Sequence, residues 1–195
     1  MLAAPRSRPS SSRPPSSRVP VRPARPEARP RRPEPRHAED AARRSAGVQA
    51  RTGSRRVLIV DDEAPIRLIC RINFGASGWA CDEAENGDQA IERIRQERPD
   101  VVLLDVMMPL ADGWTVAERL SLDPATREVP IVFLTARAEQ RDRERAHALG
   151  AVGYVTKPLD PVALPAAIGR VLERLDRGER EQLRQELLEG ASPTG

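Results

Sequence analysis

From Arg55 onward the chain alternates short apolar runs with longer amphipathic ones. RVLIV (56–60), VVLLD (101–105) and IVFLT (131–135) are nearly continuous apolar runs that close on a polar residue. Strands covered by helices on both faces read this way. WACDEA (79–84) and AVGYVT (151–156) fit the same role with a weaker pattern. Between them, helical spacing predicts helices over 64–77, 88–97, 113–121, 138–148 and 161–175. In the first, Leu68, Ile69 and Ile72 make a stripe expected to face the core; the last carries Val162, Ile168, Val171, Leu172 and Leu175. Pro165 lies inside that last segment, so its helix is expected to begin late or to kink. Five strand–helix alternations predict an α/β domain built on a doubly wound, five-stranded parallel sheet. In such sheets ligands bind outside the carboxyl ends of the strands, where the strand order reverses.

Composition divides the chain. Residues 1–54 hold 13 arginines against Glu27, Glu34, Glu39 and Asp40, together with ten of the 19 prolines and no aromatic residue. A segment so poor in apolar surface is expected to be a disordered arm, a solvated tail in the simplest reading and a basic arm for nucleic acid or an acidic partner in the next. No apolar core of a secretory signal follows its charges. Residues 55–175 form the predicted domain, and 176–195 a helical extension or tail with Leu183, Leu187 and Leu188 as a narrow stripe. Twenty residues are too few for a further output domain, so a stand-alone module acting through protein contact is expected. The two cysteines, Cys70 and Cys81, have no metal or disulfide spacing and are expected to be buried and reduced. No run approaches the roughly 18 apolar residues of a membrane span, and a cytoplasmic protein is expected.

The strand ends carry the candidate chemistry. Asp61 and Asp62 follow the first strand, Asp105 ends the third, Thr135 the fourth, and Lys157 follows the fifth. Lys157 is the single lysine among 32 basic residues, and both histidines, His37 and His147, lie away from these ends. Taken alone, Asp61 and Asp62 read more readily as a helix N-cap and a first-turn acid than as a site. With Asp105 and Lys157 at the same edge they read as a cation site. Clustered carboxylates repel unless a cation joins them, and an all-oxygen set with few protein ligands suits Mg²⁺. One ammonium, one hydroxyl and no usable histidine leave phosphoryl transfer to an aspartate as the chemistry that fits.

The segments VLIVDDEAPIR, AENGDQAIERIRQERPDVVLLDVMMPLADGWTVAERL, VPIVFLTA and ALGAVGYVTKP, in that order, resemble the receiver domain of two-component response regulators. The resemblance runs from Arg55 to about Leu175 and implies a flavodoxin-like (βα)5 fold. It implies that Asp105 is the phosphoacceptor, that Asp62 binds Mg²⁺ directly and Asp61 through water, and that the Met107 carbonyl completes the protein ligands. Thr135 and Lys157 would pair with the phosphoryl group, Tyr154 would be the aromatic that turns inward with Thr135, and the Lys157–Pro158 bond would be cis. The implied partners are a histidine kinase or phosphotransfer protein and a downstream protein target, without membrane contact. The implied role is a switch limited to accepting and hydrolysing the phosphoryl group, not a turnover enzyme.

Departures refine this picture. Met107 and Arg137 flank the expected path of attacking water, and Met107 cannot hold a water as a carboxamide would, so slow self-hydrolysis is expected. Asp112 is read as an N-cap rather than a ligand. Leu159 replaces the aromatic common after the KP pair, and the charge pattern of DNA-binding dimers is not visible, so direct DNA binding is not expected. Two rival classes are a Mg²⁺-dependent aspartyl-phosphate phosphatase and a basic-arm nucleic-acid binder. The first is disfavoured because no acid stands two residues after Asp105; the second rests on an arm without stacking aromatics.

Overall fold

The structure is a computed structural model, described here for residues 53–109, 112–136 and 139–193. The predicted N-terminal arm lies outside the described residues. The elements in chain order are β1 (Arg56–Val60), α1 (Ala64–Ala76), β2 (Ala80–Ala84), α2 (Gly87–Glu97), β3 (Val101–Asp105), α3 (Gly113–Leu122), β4 (Ile131–Thr135), α4 (Gln140–Ala148), β5 (Gly153–Thr156), α5 (Leu164–Asp176) and α6 (Arg180–Glu189).

All five strands pair in parallel, in the order β2-β1-β3-β4-β5. Alternate side chains feed two layers. Val57, Ile59, Val101, Leu103, Val132, Leu134 and Val155 pack with Cys70 and Phe74 of α1 and with Leu164, Ile168, Val171 and Leu172 of α5. Leu58, Val60, Val102, Leu104, Phe133 and Tyr154 pack with residues of α2, α3 and α4, among them Ile94, Val116 and Ala146. Both faces are therefore covered, which is why the strand sequences read as apolar runs and not as alternations. The chain goes from β1 outward to β2, then returns to β3 on the other side of β1. The reversal sets the carboxyl ends of β1 and β3 side by side, the place where such sheets bind ligands.

Local chemistry sets the helix ends. Asn86 caps α2 by accepting from Gln89 N at 3.0 Å, and Asp112 caps α3 by accepting from Thr115 N at 2.8 Å. The N-cap reading of Asp112 is thus what the structure has. The Asn86→Ala variant is expected to lower stability by about 1 kcal/mol, measured by urea unfolding, because the N–H it satisfies is left to solvent. The last domain helix begins late: α5 starts at Leu164 with Pro165 in its first turn, where a missing N–H does no harm.

Two expectations are corrected. Leu68, Ile69 and Ile72 do not face the core; they are 47%, 43% and 56% exposed, and α1 buries Cys70 and Phe74 instead. Helix α1 carries two apolar stripes, and the one in steps of four (Ile66, Cys70, Phe74) meets the sheet. Of the thiols, Cys70 is buried, with burial pushing it up to about 11, but Cys81 is only half-buried. The C-terminal leucines belong to a separate helix, α6, set off from α5 at Gly178, whose φ is +82°.

Candidate functional site

Asp61 follows β1, is fully buried, and is held on three sides. Its Oδ1 accepts from Glu63 N at 2.9 Å, its Oδ2 from Lys157 Nζ at 2.8 Å, and its backbone carbonyl from Arg67 Nη1 at 2.7 Å. The N-cap of α1 is Glu63, with no side-chain cap bond. Asp61 and Asp62 therefore do not cap the helix, and the bland reading of the pair falls away. Asp62 is exposed, beside the buried Asp61 and Asp105, and carboxylate oxygens of the three lie within 4.8 Å of one another.

Asp105 ends β3 and is 2% exposed. Its Oδ1 lies 3.0 Å from Lys157 Nζ but makes no aligned hydrogen bond. Burial raises the Asp105 carboxyl above the ordinary carboxylate range; Lys157 works in the opposite direction, and Asp61 and Asp62 add to the rise. Burial alone would lower the Lys157 ammonium, but the hydrogen bond to Asp61 and the ion pair with Asp105 outweigh it and hold it above the usual lysine value. One ammonium thus serves two buried carboxylates and leaves a surplus of negative charge. Such a surplus, with two buried carboxylates grouped with an exposed one, fits a small hard dication.

Thr135 ends β4, buried to 3% exposure, and its backbone carbonyl accepts from Lys157 N at 2.6 Å, tying the ends of β4 and β5 together. Its side chain is hydrogen-bonded to Tyr154; the aromatic expected to turn inward with Thr135 is already inward here, buried in the layer beneath. The Lys157–Pro158 bond is cis. Met107 lies in the loop after β3 and is 72% exposed. Arg137 lies outside the described residues. The fold therefore brings Asp61, Asp62, Asp105, Thr135 and Lys157 to one edge, with Tyr154 one layer below.

The family model for the response regulator receiver domain matches residues 57–169. The chain belongs to that family. The pocket of Asp61, Asp62, Asp105 and Lys157 is the acidic pocket of a receiver domain, consistent with a phosphorylation switch. Among curated proteins, this receiver is 41% identical over 127 residues to the phosphate regulon transcriptional regulatory protein PhoB of Pseudomonas aeruginosa, covering 65% of this chain and 56% of that protein. It is 43% identical over 122 residues to the probable transcriptional regulator ycf27 of Guillardia theta, covering 63% of this chain and 47% of that one. The chain thus spans about half the length of these relatives. Among solved structures, the chemotaxis protein CheY4 of Vibrio cholerae matches with a TM-score of 0.58 at 28% identity, over 61% of this chain and 99% of that one. The receiver domain of a histidine kinase from Syntrophus aciditrophicus matches with a TM-score of 0.57 at 29% identity, over 64% and 94%. No helix among the described residues is long and apolar enough to cross a membrane.

Sequence reading missed two contributors to this receiver's site. Arg67 holds the backbone of Asp61 and Asp62 from the first turns of α1. Gly113 packs its α-carbon against the backbone of Asp105 and Val106, where a side chain would collide. The first is one arginine among 31 and carries no local signal; the second could have been suspected from the Asp-Gly pair opening a helix.

Proposed function

We propose that this receiver is a phosphorylation switch in which Asp105 accepts a phosphoryl group from a phosphohistidine donor. The observation that carries the reading is the Asp105 Oδ1 atom: buried, without an aligned hydrogen bond, 3.0 Å from Lys157 Nζ, and grouped with Asp61 and Asp62. An Asp105 oxygen attacks phosphorus, the P–N bond to the donor imidazole breaks, and the imidazole leaves with its electron pair. Lys157 would stabilise charge growing on the phosphoryl oxygens, and Thr135 would donate its hydroxyl to one of them. Asp61, Asp62 and Asp105, with the Met107 carbonyl, would hold Mg²⁺, which when bound neutralises phosphoryl charge. Water attacking the same phosphorus returns inorganic phosphate and the free carboxylate.

The donor is a histidine kinase or a phosphotransfer protein, in keeping with the family. Helix α1 begins at the pocket and presents Leu68, Ile69 and Ile72 to solvent, an apolar stripe that suits a donor protein docking beside Asp105. The output is a changed protein-binding surface, and the chain is not a turnover enzyme.

The test is incubation with Mg²⁺ and acetyl phosphate, read by intact mass. One added phosphoryl group is expected, absent from Asp105→Asn and absent when the metal is chelated. Because Met107 offers no hydrogen bond to an attacking water, the adduct should last minutes or longer. Loss within seconds would overturn that part, and repeated turnover of a small phosphate ester would favour a phosphatase instead.

A further inference from the structure

The two edges of the sheet are treated differently. An edge strand presents unpaired backbone groups and is ordinarily left polar or covered. β2 is left polar: it is half-exposed through most of its length and carries Asp82 and Glu83. β5 is covered, with Gly153, Tyr154 and Val155 all buried at the opposite edge. Helix α6 is part of that cover. It packs against α4, β5 and α5, and its Leu183 and Leu187, four residues apart on one helix face, are 6% and 1% exposed. Leu183 enters the layer that contains α1 and α5, whereas Leu187 enters the layer that contains α2, α3 and α4. One short helix thus clasps both layers across the sheet edge.

The clasp is polar at its margins and incompletely packed beneath. Arg174 of α5 holds Glu186 with two bonds of 2.7 Å, Arg180 donates to Glu128 O at 2.8 Å, and Arg184 donates to His147 O at 3.0 Å. Apart from its three leucines the helix is wholly charged or amide-bearing, REQLRQELLE. A partly open cavity of about 250 Å³ remains between β5, α5 and α6, lined in part by Val152, Val171, Leu183 and Leu187. The cleft leaves part of the seat beneath α6 open to solvent, so the contact area holding the helix is smaller than its length suggests.

A path connects this seat to Asp105. Tyr154 is hydrogen-bonded to the Thr135 side chain and shares its packed layer with Ala146 of α4 and Leu187 of α6. A Thr135 hydroxyl drawn to a phosphoryl group on Asp105 gives up its bond to Tyr154, and the layer that holds the phenol must repack around the change. Movement of Tyr154 alters the layer in which Leu187 is seated.

We propose that α6 is a displaceable cover on the β5 edge, released when Thr135 turns from Tyr154 to the phosphoryl group on Asp105. The inference rests on the phosphoacceptor reading above. In the resting protein α6 itself occupies the surface formed by α4, β5 and α5; release uncovers that surface and the apolar face of α6 together.

The test uses the full chain with Mg²⁺, with and without beryllium fluoride as a phosphoryl mimic, and hydrogen exchange of peptides spanning 180–189. Exchange about tenfold faster with the mimic is expected, within the ordinary range of coupling between two sites. Unchanged or slower exchange overturns the proposal. Coupling is reciprocal, so Leu187→Ala should tighten mimic binding about fivefold or more, followed by tryptophan fluorescence. Should that variant not fold, Glu186→Gln, which removes the charge facing Arg174, reads the same linkage. Unchanged or weaker binding in the folded variant also overturns it. If Asp105 takes up a phosphoryl group while α6 exchange stays fixed, the cover fails and the phosphoacceptor reading stands. If Asp105 takes up neither phosphoryl nor mimic, both fail.

Discussion

Lys157→Met is expected to cost the metal-free protein about 3–5 kcal/mol, the usual loss when a buried ion pair keeps one side only. Asp61 is fully buried and Asp105 is 2% exposed, and the ammonium lies 2.8 and 3.0 Å from their oxygens. Without it two buried carboxylates share a pocket with Asp62 and no cation. Urea unfolding in chelator measures the loss, and added Mg²⁺ should recover much of it, because a ligand that binds the folded state stabilises it by mass action. The pH dependence carries a sign. Asp105 already has its carboxyl raised, chiefly by burial, and Lys157 opposes that rise. In the variant the folded state binds a proton more readily than the unfolded chain, so the metal-free deficit should shrink as pH falls through the raised Asp105 value. A deficit that grew on acidification would contradict this account. Lys157→Arg keeps the charge, but a planar fork does not fit where a slim stem reaches two carboxylates, and labelling by acetyl phosphate should still fall.

What could be read in the sequence follows from how each signal is encoded. β1, β3 and β4 announced themselves because strands buried on both faces need apolar residues at every position, a pattern independent of register. The site was readable for a related reason: parallel strands all end at one edge, so knowing the strands fixes which residues meet. Asp61, Asp105, Thr135 and Lys157 needed no contact information to be placed together. The stripe of α1 was misassigned because Ile66, Cys70 and Phe74 compete with Leu68, Ile69 and Ile72 for the same helix. Periodicity shows that a helix has an apolar face, and only the packing shows which of two faces meets the sheet. Helix α6 was seen as a stripe of leucines, yet nothing in ten largely polar residues told that Leu183 and Leu187 would reach different layers.

Those same differences divide the receiver into a rigid half and a responsive half. β1 and β3 sit at the centre of the sheet, each paired on both sides, and they hold Asp61 and Asp105 fixed. β5 is paired on one side only and depends on α6 on the other. Lys157 follows β5, and Thr135 ends β4, which is paired on both sides but has β5 as one neighbour. The groups that would close on a phosphoryl group therefore lie at or next to the edge with the exchangeable cover. The acceptor end is central, and the reporting end is peripheral.

Gly113→Ala tests the rigid half, and it is expected to have an effect out of proportion to one methyl group. A β-carbon at Gly113 would collide with the Asp105 carbonyl oxygen and lie 3.0 Å from Asp105 C and from Val106 Cα. None of these is the end of a flexible side chain. The β3 end cannot yield freely, since Val106 N donates to Leu134 O at 3.0 Å and Asp105 is in register with Leu134 of β4. Nor can α3, whose first N–H, from Gly113 itself, donates to Val106 O at 3.0 Å. The strain should cost about 1–3 kcal/mol or more in urea unfolding. Shifting Asp105 by a fraction of an ångström against Asp61 and Lys157 should slow acetyl phosphate labelling by roughly ten- to a hundredfold. Gly75→Ala supplies the contrast: it lies in α1 with nothing within 4 Å of the added carbon. There the helix should gain about 0.5–1 kcal/mol and labelling should not change. Equal effects from the two substitutions would mean that helix propensity, and not the seat of α3 against Asp105, sets the behaviour of Gly113.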